Sequence, residues 1–97
     1  MNPNEPLYYN NKAAAYIELK DFEGALQEIK RAETLFEEGV VKDYVKKAKV
    51  LARKGTIFSK LERLEEAIQA FEKSLLEDNN QKVKDELNKI KKHKKDK

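Results

Sequence analysis

The chain repeats its own pattern of apolar and small residues at a spacing of 42 residues. Seven positions align without a gap at that shift: Tyr9 on Leu51, Ala13 on Gly55, Tyr16 on Phe58, Phe22 on Leu64, Ala25 on Ala67, Ile29 on Phe71 and Ala32 on Ser74. Within each copy these positions mostly recur three or four residues apart, which is the period of one face of an α-helix. The repeat therefore predicts two successive copies of one helix pair.

Little in the chain would interrupt such helices. The 97 residues include three glycines and two prolines, and both prolines stand within the first six positions. We predict an all-α fold in a single domain spanning residues 1–97, with a first helix pair in 1–36, a second pair in 40–77 and a C-terminal helix in 80–94. Asn2 or Asn4 would cap the first helix and Asp21 the second.

Several classes of function have no residues to support them. The chain has no cysteine and a single histidine, His93, so it offers neither thiolate chemistry nor a histidine-based metal site. It contains no Gly-rich phosphate loop and no Ser/His/Asp set. No apolar run is long enough to span a membrane, and the N-terminus lacks the order of a signal peptide. We therefore expect a cytoplasmic protein that is not an enzyme and uses no metal or cofactor.

The spacing within each copy is similar to that of the tetratricopeptide repeat (TPR), whose period is about 34 residues. The observed spacing of 42 exceeds this by about eight residues. We expect the insertion between Phe36 and Asp43, where it would lengthen the second helix, the third helix, or both. The predicted architecture is a right-handed superhelical stack of two TPR units and a C-terminal capping helix.

The predicted third helix carries an unusual charge pattern. Five cations and a threonine follow spacings of four and three residues, with no carboxylate between them: Lys42, Lys46, Lys49, Arg53, Thr56 and Lys60. Like charges at that spacing repel each other and lower helix stability. Shifting the chain by 42 sets Asn11 on Arg53 and Glu18 on Lys60, so stacked units would place an amide beside the cations. This pattern indicates a groove for an anionic partner, and a carboxylate would suit it.

Nearly the whole chain resembles the middle TPR domain of the Hop/Sti cochaperones, which organise heat shock proteins 70 and 90. The matching stretches are Asn2-Pro3-Asn4, YYNNKAAAY at 8–16, DFEGA at 21–25, DYVKKAKVLARKG at 43–55, and residues 64–75. The extension of about eight residues is a further similarity. Those domains have three repeats and a final helix, so the resemblance implies that this chain lacks the first repeat.

The resemblance also implies a function. In that family, five residues form a carboxylate clamp around the C-terminal aspartate of the chaperone's Glu-Glu-Val-Asp tail. Three of them map onto Asn11, Lys49 and Arg53, whereas the other two, a lysine and an asparagine, have no counterpart here. Four further peptide contacts map onto Tyr8, Glu18, Lys46 and Thr56. The implied partner is the C-terminal peptide of heat shock protein 90, or that of heat shock protein 70.

Two other functions stay open at this point. A fragment without its first repeat could associate with a second copy through exposed apolar faces, as a scaffold that binds no peptide. Such a homo-oligomer could exchange helices if the third helix ran on from the second through Gly39. Alternatively, nucleic acid could bind weakly to two basic regions. One is the basic stripe, meaning the five cations on the predicted third helix (Lys42, Lys46, Lys49, Arg53 and Lys60), and the other is the tail in 82–97, which holds eight lysines and three acids.

Overall fold

The computed structural model describes residues 3–95, which form five helices and no strand. The helices are α1 (Pro6–Glu18), α2 (Phe22–Glu37), α3 (Tyr44–Lys60), α4 (Leu64–Glu77) and α5 (Gln81–Lys95). Helix α1 packs on α2, α3 packs on α4, and α5 packs on α4, while α3 also contacts α1 and α2. This arrangement confirms the all-α prediction. None of the helices in this part of the chain is long and apolar enough to cross a bilayer.

The turns inside the two helix pairs are equivalent at the shift of 42 residues. Lys20 and Glu62 occupy corresponding positions and have φ angles of 61° and 60°. Each turn closes with the same two backbone hydrogen bonds: Lys20 N–H to the Ile17 carbonyl and Asp21 N–H to the Tyr16 carbonyl, Glu62 N–H to the Ser59 carbonyl and Arg63 N–H to the Phe58 carbonyl. This pattern is a Schellman C-cap, in which the left-handed position is most often glycine. Both turns use a charged residue there instead.

The connection between the two pairs uses the same motif with a glycine. Helix α2 ends at Glu37, and Gly39 follows with a φ angle of 75°. The N–H of Gly39 donates to the Phe36 carbonyl, and the N–H of Val40 donates to the Leu35 carbonyl. Helix α2 therefore stops at this glycine in the folded chain.

The extra residues of the first repeat are shared between both helices and the loop. The position equivalent to Glu77, the end of α4, is Leu35, and α2 continues beyond it to Glu37. The position equivalent to Pro6, the start of α1, is Ala48, and α3 begins four residues earlier at Tyr44. Asp43 caps α3 by accepting the Lys46 N–H at 3.1 Å. Lys42 consequently lies in the loop, and the prediction that it shares a helical face with Lys46 is wrong.

The core consists of two clusters, and Leu26 packs against both of them. The first is centred on Ala13, Ala25, Ile29, Ala32, Val50 and Ile57, and the second on Phe58, Ala67, Phe71, Val83, Leu87 and Ile90. The second cluster is closely packed at Gly55, where an added Cβ would lie 2.8 Å from the Phe71 ring. The buried Ser74 donates a hydrogen bond of 2.7 Å to the Ala48 carbonyl and so ties α4 to α3. These contacts fix α3 and α5 on either side of the candidate site.

Candidate functional site

A groove of about 370 Å³ lies between the middle of α3 and the first turn of α5, with one residue from α1 in its lining. Its lining residues come from four helices and the loop before α5: Asn10, Lys49, Ala52, Arg53, Thr56, Phe71, Asn80, Lys82, Val83 and Glu86. Phe71, Ala52 and Val83 supply apolar surface, and the remaining lining side chains are polar or charged. A mixed lining of this kind suits a ligand with both charged and apolar groups.

Lys49 and Arg53 lie one helical turn apart on α3 and both line this groove. Among the described residues, neither has a carboxylate within the 4.0 Å that defines an ion pair. Other α3 cations differ in this respect, since Lys47 pairs with Glu77 at 3.5 Å and Lys54 pairs with Glu33 at 3.0 Å. The two groove cations thus repel each other, and neither has an ion-pair partner within residues 3–95 to offset the cost.

Lys46 lies one turn before Lys49 on the same side of α3. Unlike Lys49 and Arg53, it is already paired with a carboxylate. Its ammonium group lies 2.8 Å from Glu5 Oε1, while Glu5 Oε2 accepts the Leu7 N–H at 3.1 Å and caps α1. The hydrogen bond from Lys46 lowers the pKa of Glu5, and the same bond raises the pKa of Lys46. One cation of the basic stripe, Lys46, is therefore paired with a carboxylate from the N-cap of α1.

The residue that caps the N-terminus of α1 differs from the one predicted from the sequence. Glu5, not Asn4, provides the capping oxygen, and Asn2 lies outside the described residues. The longer Glu side chain reaches both the Leu7 N–H and Lys46. By contrast, Asp21 caps α2 as expected, because its Oδ1 accepts the Gly24 N–H at 2.9 Å.

The amide that α1 contributes to the groove belongs to Asn10. Asn10 is buried, with 6% of its surface exposed, and its Oδ1 has no hydrogen-bond partner among the described residues. Asn11 is exposed and is absent from the groove lining. Successive residues of an α-helix are rotated by about 100° around its axis, so these two neighbours face different directions. The described structure thus brings Lys49 and Arg53 together without Asn11.

The four further predicted contacts separate in the same way. Thr56 lines the groove, and its hydroxyl donates to the Ala52 carbonyl at 3.2 Å. Tyr8 packs edge-on against Tyr9, with 5.1 Å between ring centroids, and Lys12 lies over its ring. Glu18 is exposed in the last turn of α1. Of the seven predicted site residues, three share the groove: Lys49, Arg53 and Thr56.

Four groove residues come from α5 and the position just before it, a region predicted from the sequence to be a capping helix with a basic tail. They are Asn80, Lys82, Val83 and Glu86. Asn80 carried a recognisable signal, since an asparagine before an amphipathic segment is a common N-cap. The spacing of four between Lys82 and Glu86 places both on one face, but their proximity to α3 depends on tertiary packing. No cluster of three or more His, Cys, Asp or Glu side chains in 3–95 could hold a metal ion.

The family model described as tetratricopeptide repeat matches residues 5–75. The chain belongs to the TPR family. The matched range contains both helix pairs and ends before α5.

Curated relatives of this TPR chain are named as Hsp70-Hsp90 organising or stress-induced proteins. It is 30% identical over 95 residues to the Hsp70-Hsp90 organising protein of Plasmodium falciparum, an alignment covering 97% of the chain and 16% of that protein. It is 35% identical over 95 residues to the STIP1 homolog of Dictyostelium discoideum, covering 98% and 17%. It is 38% identical over 77 residues to stress-induced-phosphoprotein 1 of Caenorhabditis elegans, covering 79% and 24%. The chain therefore spans about a sixth to a quarter of these relatives.

Two solved TPR domains share the fold. The N-terminal domain of stress-induced protein-1 from C. elegans has a TM-score of 0.79 and 31% identity, covering 93% of this chain and 70% of that one. The first TPR of Spaghetti (RPAP3), bound to the HSP90 peptide SRMEEVD, has a TM-score of 0.78 and 30% identity, covering 95% and 68%. The predicted similarity to Hop/Sti TPR domains is thus confirmed.

Proposed function

We propose that this chain is a noncatalytic peptide-binding module of a cochaperone and that it holds the C-terminal carboxylate of heat shock protein 90. The observation that carries the proposal concerns Lys49 and Arg53. Both cations line the groove, and neither has a carboxylate of the described residues within ion-pair distance. The RPAP3 domain, a structure of the same fold, holds an HSP90 peptide that ends in Glu-Glu-Val-Asp.

The two cations would have complementary roles. The planar guanidinium of Arg53 can donate two parallel hydrogen bonds to one carboxylate, and the ammonium of Lys49 adds a charge without strict geometry. A charge-assisted hydrogen bond contributes roughly 1.5–3 kcal/mol. Two such contacts supply about 3–6 kcal/mol, which lies around the roughly 4 kcal/mol of a millimolar complex. Useful affinity therefore requires contacts to the residues that precede the terminal one.

Substitutions on α3 test this proposal with matched controls. Lys49→Ala and Arg53→Ala each remove a groove cation, while Lys47→Ala and Lys54→Ala remove cations whose partners lie outside the groove. In a calorimetric titration with SRMEEVD, we expect each groove variant to bind at least about tenfold more weakly, the equivalent of 1.4 kcal/mol. The controls should stay within about twofold, since surface ion pairs contribute little. Equal losses in all four variants would contradict the proposal.

Asn11 is a separate part of the same test. It was assigned to the clamp by resemblance, and it lies on an exposed face of α1 in the free chain. If a bound peptide reaches that face, Asn11→Ala will weaken binding, and Glu18→Ala, two turns further along α1, tests the further contact that the resemblance assigns to Glu18. If Asn11→Ala has no effect, the carboxylate is held by α3 without it.

The two alternative functions predict different behaviour in the same experiments. A self-associating scaffold would bind neither SRMEEVD nor nucleic acid, and its apparent mass would rise with concentration in sedimentation. A nucleic-acid binder would lose affinity steeply as salt is added, in proportion to the number of phosphates contacted. Peptide binding that depends on Arg53 and does not depend on Lys47 matches neither alternative.

A further inference from the structure

A second cavity lies on the side of α3 opposite the groove. Its volume is about 270 Å³, and residues from the last turns of α2 and α4 and from the first half of α3 line it. Lys47 and Leu51 belong to this lining, whereas Lys49 and Arg53 belong to that of the groove. Residues two positions apart on an α-helix are rotated by about 200° around its axis, so α3 separates the two concave surfaces.

The inserted residues of the first repeat build one end of this cavity. Phe36 and Glu37 belong to the extension of α2, and Lys47 belongs to the extra turn that begins α3. At the shift of 42 residues, the equivalents of all three lie outside the helices. The insertion therefore supplies a part of the lining that a repeat without it would lack.

The floor of the cavity is apolar. Its apolar surface comes from Phe36, Val50, Leu51 and Leu76, of which Val50 and Leu51 are buried while Leu76 is 85% exposed near the end of α4. Tyr44, which is also exposed, lies two turns before Leu51 on the same side of α3. An apolar cavity with an exposed leucine at its rim indicates a surface that another molecule contacts.

The charge around the cavity is negative. Of the residues in 3–95 that line it, three are carboxylates and two are lysines. Two of the carboxylates are paired with lysines of α3, whereas Glu37 and Lys73 have no ion-pair partner in this part of the chain. Helices α2 and α4 both end at the cavity with acidic residues, and their last turns contain no base. Each helix C-terminus adds a partial negative charge there, so a cation is favoured beside Glu37.

We infer that this cavity docks a basic amphipathic segment of another protein. The segment places an apolar side chain against Leu51 and Leu76, and an adjacent lysine or arginine at Glu37. An acidic segment would instead meet an unpaired carboxylate and two helix C-termini, so charge selects between the two. The site does not depend on the proposed function, because it shares no lining residue with the groove.

Two blocked dipeptides probe the cavity through its chemistry. They are N-acetyl-leucyl-arginine amide and N-acetyl-leucyl-glutamate amide, which share the apolar side chain and differ in charge. Binding is followed in NMR titrations through the methyl signals of Leu51 and Leu76, with the methyl signals of Val83 in the groove as the reference. We expect saturable shifts at Leu51 and Leu76 with the arginine probe and unchanged signals at Val83. The glutamate probe should bind at least about threefold more weakly, as for one exposed ion pair.

Charge reversal at the end of α2 tests the role of Glu37. The variant is Glu37→Lys, and the matched control is Glu38→Lys, which makes the same change at the next residue, outside the cavity lining. A lysine is favourable at a helix C-terminus, so both variants should fold. We expect Glu37→Lys to reverse the preference between the two probes. Glu38→Lys should change the affinity of each probe by less than about twofold.

Three results would overturn the inference. The first is the absence of saturable shifts at Leu51 and Leu76 when the arginine probe is added to the wild-type chain. The second is equal affinity of the wild-type chain for the two probes, a comparison that requires no variant. The third is a change in the same methyl signals when the chain is diluted without any probe, because a second copy of the chain would then occupy the cavity.

Discussion

The two helix pairs have the same backbone plan but fill their interiors differently. In the first pair, Ala13 and Ile29 belong to one core cluster. At the equivalent positions of the second pair, Gly55 is in close contact with the ring of Phe71. The smaller residue on one helix accompanies the larger residue on the other. The repeat thus conserves the combined volume at a helix crossing, not the individual residues.

The pairs also differ in where they place polar groups. The second pair ties its helices together with the bond from Ser74 to the Ala48 carbonyl, whereas Ala32 stands at the equivalent place in the first. On α3, Lys49 and Arg53 face the groove without ion-pair partners among the described residues. On α1, Lys12 lies 3.6 Å from the buried Glu28 carboxylate, within its own pair. The first pair therefore holds a cation beside its buried carboxylate, while the second leaves two cations lining the groove.

Gly55→Ala should have the largest effect on stability. The added methyl group would lie 2.8 Å from the Phe71 ring, which is buried and cannot withdraw. Overpacking of this kind costs roughly 1–3 kcal/mol, although alanine regains up to about 1 kcal/mol through its better helix propensity. We expect a net loss of about 1–2 kcal/mol in urea unfolding.

The double variant Gly55→Ala with Phe71→Ile gives the second pair the residues of the first and serves as the control. It should recover at least half of that loss. If Gly55→Ala alone is as stable as wild type, the two pairs do not differ in packing as described.

Ser74→Ala should have the next largest effect. The hydroxyl of Ser74 is buried and donates to the Ala48 carbonyl on the neighbouring helix, so its removal costs about 1 kcal/mol. Thr34→Ala is the matched comparison, because Thr34 donates to the Lys30 carbonyl within its own helix at an exposed site. Its effect on unfolding should be below about 0.5 kcal/mol. Equal effects of the two substitutions would mean that the bond between helices adds nothing.

Lys20→Gly and Glu62→Gly should each stabilise the chain by up to about 1 kcal/mol. Both residues adopt left-handed backbone angles that carry a steric cost for any side chain, and glycine removes that cost. The gain is limited because glycine also increases the entropy of the unfolded chain. In thermal unfolding, the melting temperatures of the two variants should rise by similar amounts. A gain at one site and a loss at the other would show that the two turns are not equivalent.

The smallest effect concerns pH and the contact between Glu5 and Lys46. The pKa of Glu5 is lowered from 4.5 in the folded chain, so its contribution is present above that value and is lost as the pH falls through the folded-state pKa. The pKa of Lys46 is raised above 10.5, so its contribution is lost only as the pH rises through that higher value. Glu5→Gln should therefore lower the melting temperature slightly at pH 7 and leave it unchanged near pH 2. An equal decrease at both pH values would rule out a charge effect.

Most of the fold could be predicted from the sequence because each helix has a strong apolar period and few breakers. The cap at Asp21 and the stop at Gly39 follow from local chemistry within one turn of the chain. The cap at Glu5 does not, since the same side chain is also held by Lys46, a residue 41 positions away.

The lining of the groove was predicted only in part, for a geometric reason. Lys49 and Arg53 lie on one helix, so their common face could be read from their spacing. Asn10 and Asn11 differ by one position, and the choice between them depends on how α1 is rotated against α3. The presence of Lys82 in the groove lining depends on how α5 packs on α4. Neither rotation nor packing of separate helices is encoded in the period of a single helix.

Capture of a chain-terminal carboxylate is tested most directly by two peptides that differ only at that group. One is SRMEEVD with a free C-terminus, and the other is the same peptide with a C-terminal amide. Because the amide removes one charge and one acceptor from the group held by Lys49 and Arg53, we expect it to bind the wild-type chain at least about tenfold more weakly. In the Arg53→Ala variant the difference between the two peptides should shrink. Equal affinity of the two peptides for the wild-type chain would contradict carboxylate capture in this groove.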